Sequence, residues 1–275
     1  VTYGEISDFP LQVNWNQRKI RQKMKRDLYF SKPTMNAAGL LGFSPDFRSL
    51  GDFGSLNFGA FVTNPISLRP RVPTAHPAVL EFPGGFLLHS GLPNPGLAAV
   101  MKKHVARWNR ADIPVIVHLM ADRPEETRHM IQMLEGVENV MAVELGFAPL
   151  LSDDILLLNL EMCAGELPLI FSLPPEQILR LAPRLMEGGA AAISVSHPRG
   201  ALMRDGKLVT GRLFGRAQFP RSLEIVRSVA MLARNMPVIG AGGVWTEQDA
   251  ADMLSAGAMA VQMDASLWLP REKSD

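Results

Sequence analysis

Cysteine is all but missing from this chain of 275 residues: Cys163 stands alone, which excludes an intrachain disulfide and a zinc site built from thiolates. Its apolar surroundings suit a small buried residue better than a nucleophile. No run of about 18 uninterrupted apolar residues occurs, so no membrane-spanning helix is expected. The first residues lack the basic-then-apolar pattern of a secretory leader, and a cytoplasmic location is the expectation. An excess of charge is lacking too, with 28 Lys and Arg against 27 Asp and Glu; neither nucleic acid nor an anionic membrane is expected as a partner. The His-x-x-x-His and His-x-x-Glu-His spacings are absent, so no metal site is expected. There is no internal repeat and no low-complexity tract.

What is present is alternation. Short apolar or β-branched runs are separated by longer segments with helical spacing, the pattern of parallel strands joined by crossover helices. The strand segments are 34–38, 60–63, 115–119, 142–145, 169–173, 191–195, 238–241 and 260–263. Helices are expected over 97–109, 125–134, 176–187, 222–234 and 247–256, several opened by Pro or Thr and closed near Gly or Asn. Eight strands of this kind predict an α/β fold, a (β/α)8 TIM barrel. The expected organisation is one domain over 1–275, with 1–30 as an N-terminal extension and 31–268 as the barrel.

Three segments break the pattern. Residues 66–94, rich in Pro and Gly, are too long for a simple turn and read as a hairpin or lid over one barrel end. Residues 197–220 form a second excursion, with Asp205-Gly206 as a two-residue turn between short strands. The basic segment 16–28 reads as a helix with a solvated face. Only about a dozen residues follow the eighth strand, so the last helix is expected to be truncated, its seam covered by the N-terminal helix or a neighbouring subunit.

After the seventh strand, Gly240-Ala241-Gly242-Gly243-Val244-Trp245-Thr246-Glu247 is a glycine-rich turn running into a helix. Such a turn offers backbone N–H groups and a positive helix end to an anion. Asp264-Ala265-Ser266 after the eighth strand falls beside it, and loops seven and eight commonly hold a phosphate in barrels of this type. Asp264 opposes that reading. A carboxylate beside a phosphate costs about 4 kcal/mol per pair of unit charges at roughly 4 Å with an effective dielectric near 20. Asp264 therefore points away, is paired, with Arg212 or Arg216 as candidate partners, or marks a site that no longer binds phosphate.

Ordered segments of the chain resemble the dihydroorotate dehydrogenase family. They are Pro33-Thr34-Met35-Asn36-Ala37-Ala38-Gly39, Phe61-Val62-Thr63-Asn64-Pro65 with Leu68-Arg69-Pro70-Arg71, and Ser90-Gly91-Leu92-Pro93-Asn94-Pro95-Gly96. Leu173-Pro174-Pro175, Gly211-Arg212-Leu213-Phe214-Gly215, 237–243 and 250–262 continue the similarity, which spans about 31–268. The resemblance implies an FMN-binding barrel with the flavin across the C-terminal strand ends. Its cofactor residues would be Ala37, Ala38, Gly39, Asn64, Ser196, Gly215, Gly242, Gly243, Ala265 and Ser266.

The chain also departs from that family. Where the family has a flavin-contacting lysine after strand two, this chain has Asn64, followed by Pro65 with no N–H to donate. The base-carrying loop after strand four is replaced by Gly146-Phe147-Ala148-Pro149, the strand-five lysine by Ser172, an asparagine after strand six by Ser196, and the lid asparagine by Leu88. Dihydroorotate oxidation is therefore not expected. The polar groups that fall at the same barrel end are His118, His89, Ser172, Ser196, His197, Arg199 and Glu144, with His118, His197 and Ser172 as the candidate catalytic set. Each histidine also has a bland reading as a hydrogen-bonded core residue, and His118 with Glu144 as a structural pair. The first functional expectation is an FMN-dependent oxidoreductase acting on a different small substrate, as a homo-oligomer or a subunit of a larger assembly. The alternative is a catalytically silent barrel, its FMN lost, serving as a binding or assembly subunit.

Overall fold

The computed structural model describes residues 28–45, 58–149 and 151–264. In chain order the elements are β1 (Thr34–Asn36), β2 (Phe61–Val62), β3 (Ala78–Phe82), β4 (Gly85–His89), α1 (Leu97–Trp108), β5 (Val115–Met120), α2 (Pro124–Leu134), β6 (Val140–Gly146), α3 (Asp153–Met162), β7 (Leu169–Leu173), α4 (Pro175–Gly188), β8 (Ala192–Val195), β9 (Arg199–Arg204), β10 (Lys207–Phe214), α5 (Phe219–Leu232), β11 (Val238–Gly240), α6 (Glu247–Ser255) and β12 (Ala260–Met263). Eight of the strands run parallel in the order β1-β12-β11-β8-β7-β6-β5-β2, and a bridge between Met35 and Ala60 joins the two ends of that row. The fold is a (β/α)8 barrel. The expected helix over 16–28 and the segment after Asp264, with its seam, lie outside the described residues.

Side chains alternate across a strand, and the alternation splits the core in two. Val117, Leu119, Val143, Leu145, Phe171, Ile193 and Val261 face outward and join Leu97, Val100, Ile131, Leu181 and Val226 of the helices. The inward positions form a second cluster. One residue from each strand segment makes a ring within it, Met35, Ala260, Ile239, Ala192, Ile170, Ala142, Ile116 and Ala60, large and small in strict turn, with Val62 two residues beyond Ala60. Four bulky side chains from alternate strands thus fill one layer while the alanines between give them room, the packing that makes such a barrel a solid core.

The weakest join is between β1 and β2, and Asn36 mends it. Its buried amide donates to the Val62 carbonyl at 2.6 Å and accepts from the Val62 N–H at 3.0 Å, doing with a side chain what a strand ladder does with backbone. Each bond that satisfies a buried Val62 group avoids a desolvation cost of about 1–3 kcal/mol.

The two excursions are not separate flaps. β3, β4, β10 and β9 form a single antiparallel sheet, with Leu88 opposite Arg212 and Phe86 opposite Phe214. The Phe86 and Phe214 rings stack with centroids 5.3 Å apart. At the β9–β10 turn Asp205 and Gly206 both have positive φ, 50° and 73°, the requirement of the tight hairpin turn that Asp-Gly favours.

Candidate functional site

One step beyond the apolar layer, toward the C-terminal strand ends where barrels of this fold place their chemistry, the interior turns polar. The inward residues are now Glu144 on β6, two past Ala142; Ser194 on β8, two past Ala192; and Gln262 on β12, two past Ala260. His118 on β5 and Ser172 on β7 stand two past Ile116 and Ile170. All five are buried. Glu144 is the hub: His118 Nδ1 donates to its Oε2 at 2.8 Å, while the Ser194 hydroxyl and the Gln262 amide, the latter at 2.8 Å, donate to Oε1. Burial alone would push the Glu144 carboxyl up, but the hydrogen bond and charge of His118, with those of Ser194 and Gln262, outweigh it and hold the group below its ordinary value.

The other nitrogen of His118 is the open end of this network. Nε2 is buried and has no hydrogen-bond partner among the described residues. It lies against Gly146, where a Cβ would come within 2.3 Å of it. Gly146 is two residues beyond Glu144 on the same strand, so the ring runs along β6 with Nε2 toward the mouth. Nδ1 fixed on a carboxylate and Nε2 left free is the arrangement that makes an imidazole a proton acceptor.

Above the mouth, Arg199 and Arg212 are directly paired across β9 and β10. Burial and the charge of Arg199 lower the Arg212 pKa, with Glu144 and Asp122 acting in the opposite sense. Neither arginine makes an ion pair with a described residue.

A second polar centre lies at the glycine turn. Gly242 and Gly243 have positive φ, 100° and 79°, and a Cβ at Gly243 would stand 2.5 Å from the Phe219 nitrogen and 3.0 Å from the Gly215 carbonyl oxygen. The fold therefore brings Gly215, Gly242 and Gly243 together. Asp264, fully buried, accepts from the Gly243 and Val244 N–H groups at 2.8 Å each, and from His197 Nε2 at 3.1 Å. The partner of Asp264 is thus His197, not Arg212 or Arg216; Arg216 instead lies over the Trp245 ring at 5.5 Å. His197 is also packed on Phe214, ring centroids 4.2 Å apart.

The remaining expected site residues scatter around these two centres. Ala37 is buried and donates its N–H to the Met263 carbonyl at 2.9 Å; Ala38 packs partly buried on the inner core; Gly39 has φ 94°. The Asn64 side-chain oxygen accepts from the Gly42 N–H at 3.1 Å, which pins the loop after β1. Ser196 donates its backbone N–H to the Leu173 carbonyl. His89 lies between Thr74 and the Thr210 carbonyl inside the lid. Ala265 and Ser266 lie outside the described residues. Sequence reasoning named neither Ser194 nor Gln262 as site residues, although each is a polar residue at an inward position of an otherwise apolar strand. Among the described residues no cluster of three or more His, Cys, Asp or Glu is placed to hold a metal.

The fold and this site together define a (β/α)8 barrel with a buried ionisable network at its C-terminal mouth and a lid sheet bearing arginines. The dihydroorotate dehydrogenase family model matches residues 21–147 and 198–270. The relatives include proteins named as the catalytic subunit of dihydroorotate dehydrogenase B (NAD(+)). That of Pelobacter propionicus is 30% identical over 263 residues, covering 88% of this chain and 86% of the relative. Those of Trichlorobacter lovleyi and Maridesulfovibrio salexigens are each 30% identical, covering 84% and 86% of the relative. The chain belongs to the dihydroorotate dehydrogenase family. The match breaks over 148–197, the stretch that carries Ser172, Ser194, Ser196 and His197.

FMN is the cofactor that the resemblance implies, and the phosphate end of its expected site does not fit it. The two turn amides that would face a phosphate already serve the Asp264 carboxylate, which would meet a second anion at close range. At the ring end, Asn64 is engaged with Gly42 and no lysine takes the position of Ser172.

Proposed function

We propose that this member of the dihydroorotate dehydrogenase family is an enzyme of the oxidoreductase kind that acts on a small anionic substrate other than dihydroorotate, and that His118 moves the substrate proton. The observation that carries the reading is the free, buried Nε2 of His118, with Nδ1 held by Glu144. In the proposed step Nε2 takes the proton from a carbon beside the substrate carbonyl, and the imidazolium so formed is stabilised by the ionised Glu144. Glu144 keeps its own charge throughout, because Ser194 and Gln262 bond the oxygen that His118 does not use. Arg212, whose charge is already disfavoured by burial and by Arg199, gains from any anion that enters beneath the lid; this supports a carboxylate-bearing substrate.

Family membership supports oxidation as the whole reaction, in which the hydride would pass to an exchangeable acceptor of the flavin or nicotinamide class that needs no phosphate contact at the glycine turn; proton removal is the half that these side chains can perform. His104 Nδ1 is also buried without a partner, so what favours chemistry over a silent barrel is that His118, alone among the described histidines, combines such a free nitrogen with a carboxylate on the other, at the C-terminal mouth of the barrel. The test is deuterium exchange from D2O into small keto and cyclic imide carboxylates, followed by NMR. Exchange with the intact protein, lost in His118→Asn and weakened in its substrate dependence by Arg212→Ala, is the expected result. No exchange and no ligand-induced rise in Tm across the panel would remove the reading.

A further inference from the structure

We infer that the anion subsite at the glycine turn is filled from within, by Asp264, so that this barrel rejects a ligand that ends in a phosphate at that place. The inference does not depend on the role proposed for His118. It begins from a count of donors. Four consecutive backbone N–H groups, those of Gly243, Val244, Trp245 and Thr246, form the turn and the approach to α6, the group that a phosphate would use. Gly243 and Val244 each donate to a different oxygen of Asp264 at 2.8 Å. Trp245 and Thr246 donate to Asp249 at 2.9 and 2.8 Å, and the Asp249 N–H is taken in turn by the Thr246 hydroxyl at 3.0 Å. The two carboxylates therefore satisfy all four groups.

The arrangement has little slack. Asp264 is fully buried, its Oδ2 is also held by His197, and Gly243 is wedged against the Phe219 nitrogen and the Gly215 carbonyl. Two N–H groups and an imidazole converging on one buried carboxylate reproduce the surroundings of a bound anion, with charge-assisted bonds at each contact. For a phosphate to enter, it would have to displace a covalently tethered anion from its donors or sit beside it.

The experiment compares FMN with riboflavin, which differ only in the phosphate, on the full chain. Flavin fluorescence gives the two affinities, gel filtration gives retention, and Tm with and without inorganic phosphate reports the subsite alone. The intact protein is expected to retain no FMN, to prefer FMN over riboflavin by less than about threefold, and to show no phosphate-dependent rise in Tm. In Asp264→Gly, the preference for FMN is expected to rise on the order of a hundredfold, as removal of one charge repulsion allows. Asp264→Asn drops the charge while keeping an acceptor for one N–H, and serves if the glycine variant does not fold; it is expected to gain a phosphate-dependent rise in Tm. FMN bound by the intact protein tenfold or more tightly than riboflavin would overturn the inference. So would folded Asp264 variants that gain neither phosphate nor FMN. The exchange assay on His118 is read independently of either result.

Discussion

Gln262 donates its amide N–H to Glu144 at 2.8 Å across the full width of the barrel. Their strands, β12 and β6, are four places apart in a ring of eight, so the bond is a diameter. With Ser194 and His118 on the same carboxylate, it turns the layer above the apolar core into one connected polar brace, in a medium where each unmade bond costs more than a made one gains.

Gln262→Leu should therefore destabilise the fold by about 1–3 kcal/mol, because it leaves one bond of a buried carboxylate unmade. Glu144→Leu should cost more than the loss of any single partner, since it leaves His118 Nδ1, the Ser194 hydroxyl and the Gln262 amide without their buried acceptor. Urea unfolding of both variants, with Ser194→Ala for a double-mutant cycle, measures this; strict additivity would show that the brace is not a unit.

Acid should loosen the barrel through Glu144. Its pKa in the folded chain is depressed relative to the unfolded chain, so its contribution to stability is present above the ordinary carboxylate range and is lost as pH falls through the depressed value. Glu144→Gln should be less stable than the parent at neutral pH, and the difference should shrink on acidification. Chemical unfolding at pH 7 and at pH 3 checks the sign.

Gly146→Ala should displace the His118 ring, because the new Cβ would lie 2.3 Å from Nε2. Overpacking of this kind costs about 1–3 kcal/mol. The expected signature is a lowered Tm together with altered 15N shifts of one imidazole, and loss of any His118-dependent exchange.

Cys163 should resist thiol reagents in the folded protein. It is buried at the end of α3, and burial pushes its thiol up to about 12, which leaves almost no thiolate at neutral pH. Labelling by a disulfide reagent should track unfolding; rapid labelling under native conditions would contradict the burial.

The barrel was legible because strand and helix periods differ and each is local. The strands at 169–173 and 260–263 fall as the alternation predicts, and Asp205-Gly206 marks its turn by backbone chemistry alone. α3 was not singled out: 155–158 is an unbroken apolar run, so it shows no face. The first strand ends at Asn36, short of the expected 38, as the Asn36 side chain takes up bonding to β2. His118 and Glu144 could be paired from sequence since their strands are neighbours, whereas Gln262 meets Glu144 only once the ring closes. Asp264 announced its conflict with a phosphate through its charge. Its resolution needed the distances, because a sequence does not say which amides a carboxylate reaches.

The lid sheet has a consequence for the order in which the molecule is made. β4 pairs with β10, and between them the chain lays down β5, β6, β7, β8 and β9. On a ribosome, the β3–β4 hairpin emerges with one edge bare and must wait for more than a hundred further residues before that edge is covered. The roof therefore waits for β10 and the ring beneath it waits longer still, for β12, so that in a newborn chain all four lid strands exist before Gln262 arrives to complete the bonding of Glu144.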